Sequence, residues 1–153
     1  MMKERGFTLI EFLITCAVLG VLLALVYPQF ARFRENQVLK AGVTDIMSTL
    51  NKAQSQALSS IDSSSYGVYF SANQIVVFKG TSYSVGNPSN EVISIVSPAS
   101  ITNVTLGGVS SSSGELYFSR LGGAPNKSGT VTITTPNLSK IITIGAAGTI
   151  SVN

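Results

Sequence analysis

Residues 6–28 read GFTLIEFLITCAVLGVLLALVYP, and their chemistry decides how the rest of the chain is organised. From Phe7 to Tyr27 only Thr8, Glu11 and Thr15 interrupt an apolar run of 21 residues, 13 of them Leu, Ile, Val or Phe. At about 1.5 Å per residue a helix of that length reaches roughly 30 Å, the thickness of one hydrocarbon core. Those side chains favour insertion by roughly 4–8 kcal/mol, whereas a mid-membrane acid costs about 2.5–3.5 kcal/mol, so the run predicts a transmembrane helix in spite of Glu11. Glu11 lies about 6 Å along the helix from the start of the run, and a carboxylate at that depth requires a cation the run does not supply. A secretory signal peptide is the nearest rival. Its apolar core is shorter, carries no glutamate and is followed by an A-x-A site, which the Tyr27-Pro28-Gln29 region lacks. Lys3 and Arg5 on one side and Arg32 and Arg34 on the other leave the orientation unbiased.

The remainder must fit around that segment. At 153 residues the chain has the length of one domain with an appendage. Charged residues make up 11% and hydrophobic residues 44%, a balance that argues against an ordinary cytosolic enzyme. Histidine is absent, which removes the commonest general base and metal ligand. Cys16, the single cysteine, can form no internal disulfide and reads as a small apolar residue of the membrane run. The net charge of +3 is small and dispersed.

Beyond Tyr27, Pro28 lacks the N–H that an interior helix position needs, so a kink is expected there. From Leu39 the apolar residues Val43, Ile46, Met47, Leu50, Ala53 and Ala57 recur at offsets of three and four, which predicts an amphipathic helix over 28–60 that frays among the serines of 59–65 and is weakened slightly by Gly42. After Ser65 the period changes to two. Strands are expected at 66–70, 75–79, 91–96, 101–106, 115–119, 130–134, 140–144 and 149–152, with hairpin connections near Ala72 and Ala147 and exposed, mobile loops at 110–114 and 122–128. The fold class is therefore α+β: residues 7–27 transmembrane, 28–60 continuing the helix, and 61–153 an antiparallel β-sheet domain on which that helix packs.

Gly6-Phe7-Thr8-Leu9-Ile10-Glu11 resembles the class III signal of type IV pilins and type II secretion pseudopilins. The resemblance covers about the first fifth of the chain and implies a six-residue leader (1–6), cleavage between Gly6 and Phe7 by a prepilin peptidase, and N-methylation of Phe7. Glu11 and Pro28 then fall where the family carries its assembly glutamate and its helix-kinking proline. The physical logic stands beside the name. Cleavage frees an amine on Phe7, and a carboxylate four residues on is poorly placed to pair within its own helix start but well placed to pair with a neighbouring subunit's amine in lipid. The distal stretches Glu115–Ala124, Gly129–Ile133, Lys140–Ile144 and Gly148–Val152 are similar to the strands of the minor pseudopilins known as GspH and their pilus relatives FimU and FimT. This implies a minor subunit near the tip of a pilus or pseudopilus that helps to begin assembly, held in the bacterial inner membrane by a single pass with its β domain periplasmic or exterior. The implied partners are other pilin or pseudopilin subunits, the peptidase and methyltransferase, and membrane lipid, with no cofactor or metal.

Other chemistries fare worse. The stretch from Leu121 to Ser128 ends in Lys-Ser but has Leu121 and Asn126 where a phosphate-binding loop needs glycine. No G-x-S-x-G elbow is present, and Asp62, Glu91 and Glu115 are isolated carboxylates. A DNA-binding competence pilin of the FimT kind is the alternative function. It needs clustered cations, and past residue 65 only Lys79, Arg120, Lys127 and Lys140 are available, on separate elements, which argues against nucleic acid as a partner.

Overall fold

The computed structural model describes residues 8–153, with the side chains of Leu25, Tyr27, Pro28 and Ala31 outside that description. Helix α1 runs Leu9–Leu58, and its backbone is helical through Pro28. The chain divides into two compact units, one ending at Arg34 and the other spanning Glu35–Asn153. The fold is α+β, an N-terminal helix followed by antiparallel sheets.

In the unit that begins at Glu35, α1 turns one stripe inward. Leu39, Ile46, Leu50, Ala53 and Ala57 are buried, and Val38 and Val43 pack at the margin. The stripe is completed by Gly42 and Thr49, neither of them a hydrophobic side chain. Thr49 is tolerated there because its hydroxyl donates to the Asp45 carbonyl at 2.6 Å, leaving no orphaned donor. Gly42 proves to be a point of close approach rather than a mere weakness of the helix: a Cβ at this position would meet Ile133 Cδ1, with Ile95 and Ala99 just beyond.

Nine strands follow. They are β1 (Tyr66–Ser71), β2 (Gln74–Lys79), β3 (Glu91–Ser94), β4 (Ser100–Leu106), β5 (Val109–Ser111), β6 (Gly114–Phe118), β7 (Gly129–Thr134), β8 (Ser139–Ile144) and β9 (Ile150–Val152). One sheet has the order β3-β2-β1-β6 and the other β5-β4-β7-β8-β9, with every neighbouring pair antiparallel. The inward faces of the two sheets, including Val68, Phe70 and Phe118 from the first and Val104, Ile133 and Ile142 from the second, share a single core with the α1 stripe. A shift of register between Ile101 and Asn103 makes Thr102 an extra, exposed residue in β4.

Eight of these strands lie where the period of two places them, and the two expected hairpins close at Ala72-Asn73 and across 145–149. The stretch 110–114 departs from expectation. It is no mobile loop, because Gly107 and Gly108, both at positive φ, turn the chain so that Val109–Ser111 pairs back on β4. The 122–128 connection is also tied down. Asn126 exchanges hydrogen bonds with Tyr117 at 2.8 and 2.9 Å, Ser119 N–H donates to the Ala124 carbonyl at 2.9 Å, and Gly123 is buried.

Candidate assembly site

The first described residue organises the start of α1. Thr8 precedes the helix, and its Oγ1 accepts from the Glu11 N–H at 3.3 Å while its carbonyl accepts from the same N–H at 3.1 Å. Thr8 is thus an N-cap, and Glu11 stands at the third helical position, where a carboxylate is favoured by the helix dipole. Glu11 is exposed, and among the described residues no cation pairs with it. Gly6 and Phe7, the residues read as the cleavage and methylation positions, lie outside the described residues.

From Leu9 to Arg34 every described side chain is exposed, with Leu9 at 80% and Phe30 at 69%. An apolar helix exposed on all sides is not a surface helix of a globular domain, which would be apolar along one stripe only. Thr15, the other polar interruption, donates its hydroxyl to the Phe12 carbonyl at 2.8 Å, so it presents little unsatisfied polarity to its surroundings. Cys16 is exposed among these neighbours. Among the described residues no helix is long and apolar enough to cross a membrane. The span read over 7–27 also draws on Phe7, Leu25 and Tyr27, whose side chains are outside the description.

The ionisable groups of the second unit form separate pairs. Lys52 Nζ lies 2.7 and 2.5 Å from the two carboxylate oxygens of Glu91. Lys79 Nζ lies 3.0 Å from Asp62 Oδ2. Glu115 accepts from the Tyr83 N–H at 2.8 Å, fastening the 80–90 loop, where the Tyr83 ring stacks on Tyr69 with centroids 4.2 Å apart. These carboxylates are therefore engaged one by one, apart from each other, and Glu91 and Asp62 keep more than half of their side chains exposed. Burial and the Asp62 carboxylate push the Tyr66 phenol above its ordinary pKa.

Sequence reasoning gave no hint that two cations converge on the turn after α1. Arg120 Nε donates to Ser60 Oγ at 2.6 Å and its Nη1 to the Ser63 carbonyl at 3.3 Å, while Lys79 reaches Asp62 in the same turn. Ser60, Asp62 and Ser63 all hold positive φ there, and Leu121, also at positive φ, donates its N–H to the Ala57 carbonyl at 3.0 Å, an acceptor it shares with the Ser60 N–H at 3.1 Å. Both cations are occupied in fastening that turn. Lys40 and Lys140 instead rim a groove of about 320 Å³ whose floor includes Leu39, Val43 and Val152. Among the described residues no three His, Cys, Asp or Glu side chains gather in a way that could hold a metal ion.

A family model described as the prokaryotic N-terminal methylation motif matches residues 1–27. That motif is characteristic of type IV pilins and pseudopilins. Neither a curated protein nor a solved structure matches the chain.

Proposed function

We propose that this chain, with its pilin-type N-terminus, is a membrane-anchored structural subunit that is trimmed between Gly6 and Phe7, methylated at Phe7 and packed through α1 into a pilus or pseudopilus. The observation that carries the reading is the methylation motif over 1–27 joined to a helix whose described side chains from Leu9 to Arg34 are all exposed. Such a helix has two ways to leave water, lipid before assembly and the helices of neighbouring subunits after it. Glu11 supplies the register. Its carboxylate is exposed in the first turn of α1, and a methylated amine on the next subunit's Phe7 is the counter-charge it lacks. Breaking such a pair in an apolar surrounding leaves an uncompensated charge at a cost of about 3–5 kcal/mol. Pro28, which cannot donate to the carbonyl four residues before it, is the point at which the helix can bend to fit a packed bundle.

Within that class we assign a minor subunit near the filament tip, a reading supported by the resemblance in sequence of residues 115–124, 129–133, 140–144 and 148–152 to the distal stretches of minor pseudopilins. A part in starting assembly follows from that place.

Intact mass of the membrane-extracted chain tests the reading. The expected species begins at Phe7 and carries one added methyl group, and the Glu11→Ala variant is trimmed in the same way yet missing from sheared filaments. A chain that still begins at Met1, or a Glu11→Ala chain recovered in filaments at the unaltered level, refutes it.

A further inference from the structure

Strand β9 is an outer strand of the second sheet, and its backbone is half used. Ile141 N–H donates to the Asn153 carbonyl at 3.3 Å, and Asn153 N–H donates back to the Ile141 carbonyl at 3.0 Å. In an antiparallel ladder such pairs alternate with pairs that exchange no hydrogen bond, so Val152 and Ile150, opposite Ile142 and Ile144, aim their N–H and C=O groups away from β8. Among the described residues no other backbone group takes them up. The groove of about 320 Å³ adjoins this edge, with Leu39, Lys40 and Val43 of α1 on one side and Lys140 and Val152 on the other. Val152 stands opposite the buried Ile142, and Lys140 is two residues before Ile142, so all three face the helix side of the sheet. Among the described residues neither lysine forms an ion pair and no acid lines the groove.

We infer that this edge and groove together dock an extended acidic segment of another protein, which adds a sixth strand beside β9 of the five-stranded sheet. An open edge alone specifies no partner. Here it coincides with an apolar trough and two unpaired cations, and each feature is met by a different part of such a segment. The segment's backbone takes the unused donors and acceptors of Ile150 and Val152. Every second side chain points inward and covers Val43 and Val152, which the sheet leaves half-buried. Carboxylates on that same face reach Lys40 and Lys140, whose stems extend the apolar wall beneath the charge. A second copy of this chain does not supply the segment, because the acids on its strands, Glu91 and Glu115, are engaged by Lys52 and by the Tyr83 N–H. The inference uses no residue before Glu35, so a chain that proves untrimmed or unassembled leaves it standing.

The probe is a peptide with blocked ends, Thr-Val-Thr-Glu-Thr-Val-Thr-Glu-Thr, whose valines and glutamates share one face in the extended form. It is added to the full chain in an uncharged detergent, and binding is read by the polarisation of a label on the peptide against empty micelles. Saturable binding is expected that weakens as salt is added, with slower hydrogen exchange at the Ile150 and Val152 amides on saturation. The Lys40→Gln/Lys140→Gln variant changes two exposed side chains, keeps the melting midpoint of the parent, and binds about fivefold more weakly. A peptide with lysine in place of both glutamates does not bind. Of the two forms N-methylated at alternate residues, the one whose methyls lie towards β9 binds about tenfold more weakly or less. If both N-methylated forms bind as the parent peptide does, the groove accepts any amphipathic anion and the proposal fails. It is equally overturned by no saturation up to about 1 mM peptide, by equal binding of the lysine peptide or equal binding to the glutamine variant, or by Ile150 and Val152 amides that already exchange slowly in the chain alone.

Discussion

Gln54 is the side chain on which the second unit's loops converge. It is half-buried on α1, and its Nε2 donates to the Gly123 carbonyl at 3.0 Å and to the Gly148 carbonyl at 3.2 Å. These carbonyls belong to the β6–β7 and β8–β9 connections, so one amide fastens two distant loops to the helix. Replacing it by leucine removes both hydrogen bonds at about 0.5–1.5 kcal/mol each, a loss of about 2 kcal/mol and a fall in the melting midpoint of roughly 6–10 °C for a unit of this size. Gln54→Glu keeps the shape but aims carboxylate oxygens at two carbonyl oxygens. The ionised form is repelled, so the introduced carboxyl titrates above the ordinary value of about 4.3, and each unit of that rise is worth about 1.36 kcal/mol.

The sign of the pH dependence follows from the direction of that rise. A group whose pKa is higher in the folded state contributes its stability below the unfolded value and loses it as pH climbs through the folded value. The Gln54→Glu chain is therefore closest to the parent near pH 4, where the protonated acid still donates one of the two bonds, and falls away from it towards pH 7. Thermal melts of parent, Gln54→Leu and Gln54→Glu in the same detergent at pH 4–8, followed by tyrosine absorbance, read the difference. A Gln54→Glu melting curve that runs parallel to the parent across that range would show that the amide fastens nothing.

Three further outcomes are expected. Gly129→Ala places a methyl against the Thr105 carbonyl oxygen, with the Thr105 carbonyl carbon at 2.8 Å and Leu106 Cα at 3.0 Å, and since backbone of a paired strand cannot step aside the cost is about 3 kcal/mol or more; a variant melting within a few degrees of the parent contradicts this. Tyr66, whose phenol is raised by burial and by Asp62, contributes stability that is complete below about pH 10 and is lost as pH rises through its higher folded value. Parent minus Tyr66→Phe stability, measured by denaturant titration from pH 9 to 11.5, should decline across that window, and a flat difference refutes the assignment. Lys52 and Glu91 are about half exposed, so Lys52→Met should cost less than about 1 kcal/mol despite the short contact, and a larger loss in the same titration would mean the pair is shielded from water.

The strands were legible wherever one face is buried. In β7 the alternation of Thr130, Thr132 and Thr134 with Val131 and Ile133 states both the strand and its inward face, and β8 reads the same way through Ile142 and Ile144. Strand β5 was illegible because Val109, Ser110 and Ser111 are all exposed, so no apolar alternation exists to mark it and only its ladder to β4 defines it. The division into two sheets was illegible for a different reason. A period of two says which side chains face the core but not which strand lies alongside, and β1 takes as one neighbour β6, more than forty residues downstream, while β4, the first strand of the other sheet, lies between them in the chain.

The same distinction separates what could be read of the proposed assembly site from what could not. Gly6, Phe7 and Glu11, the proposed cleavage, methylation and assembly positions, are read from their spacing in the chain, and that is the kind of information a linear sequence holds. Thr8 was passed over as an interruption of the apolar run, yet the order Thr8-Leu9-Ile10-Glu11 is an N-cap followed by an acid at the third helical position, a signal that chain order does carry. Gly42 and Gln54 carried no such signal. A glycine inside a helical stripe looks like a small loss of helix quality, and a glutamine on its flank like an ordinary polar helix residue, until the sheets are in place. Then the missing Cβ becomes room for Ile133 and the amide becomes the tie between two loops. A residue whose role is set by an element far away in sequence reads locally as a defect, as Gly42 does, or as nothing out of the ordinary, as Gln54 does, and a locally unfavourable residue on a well-formed stripe is a place to look for a tertiary contact.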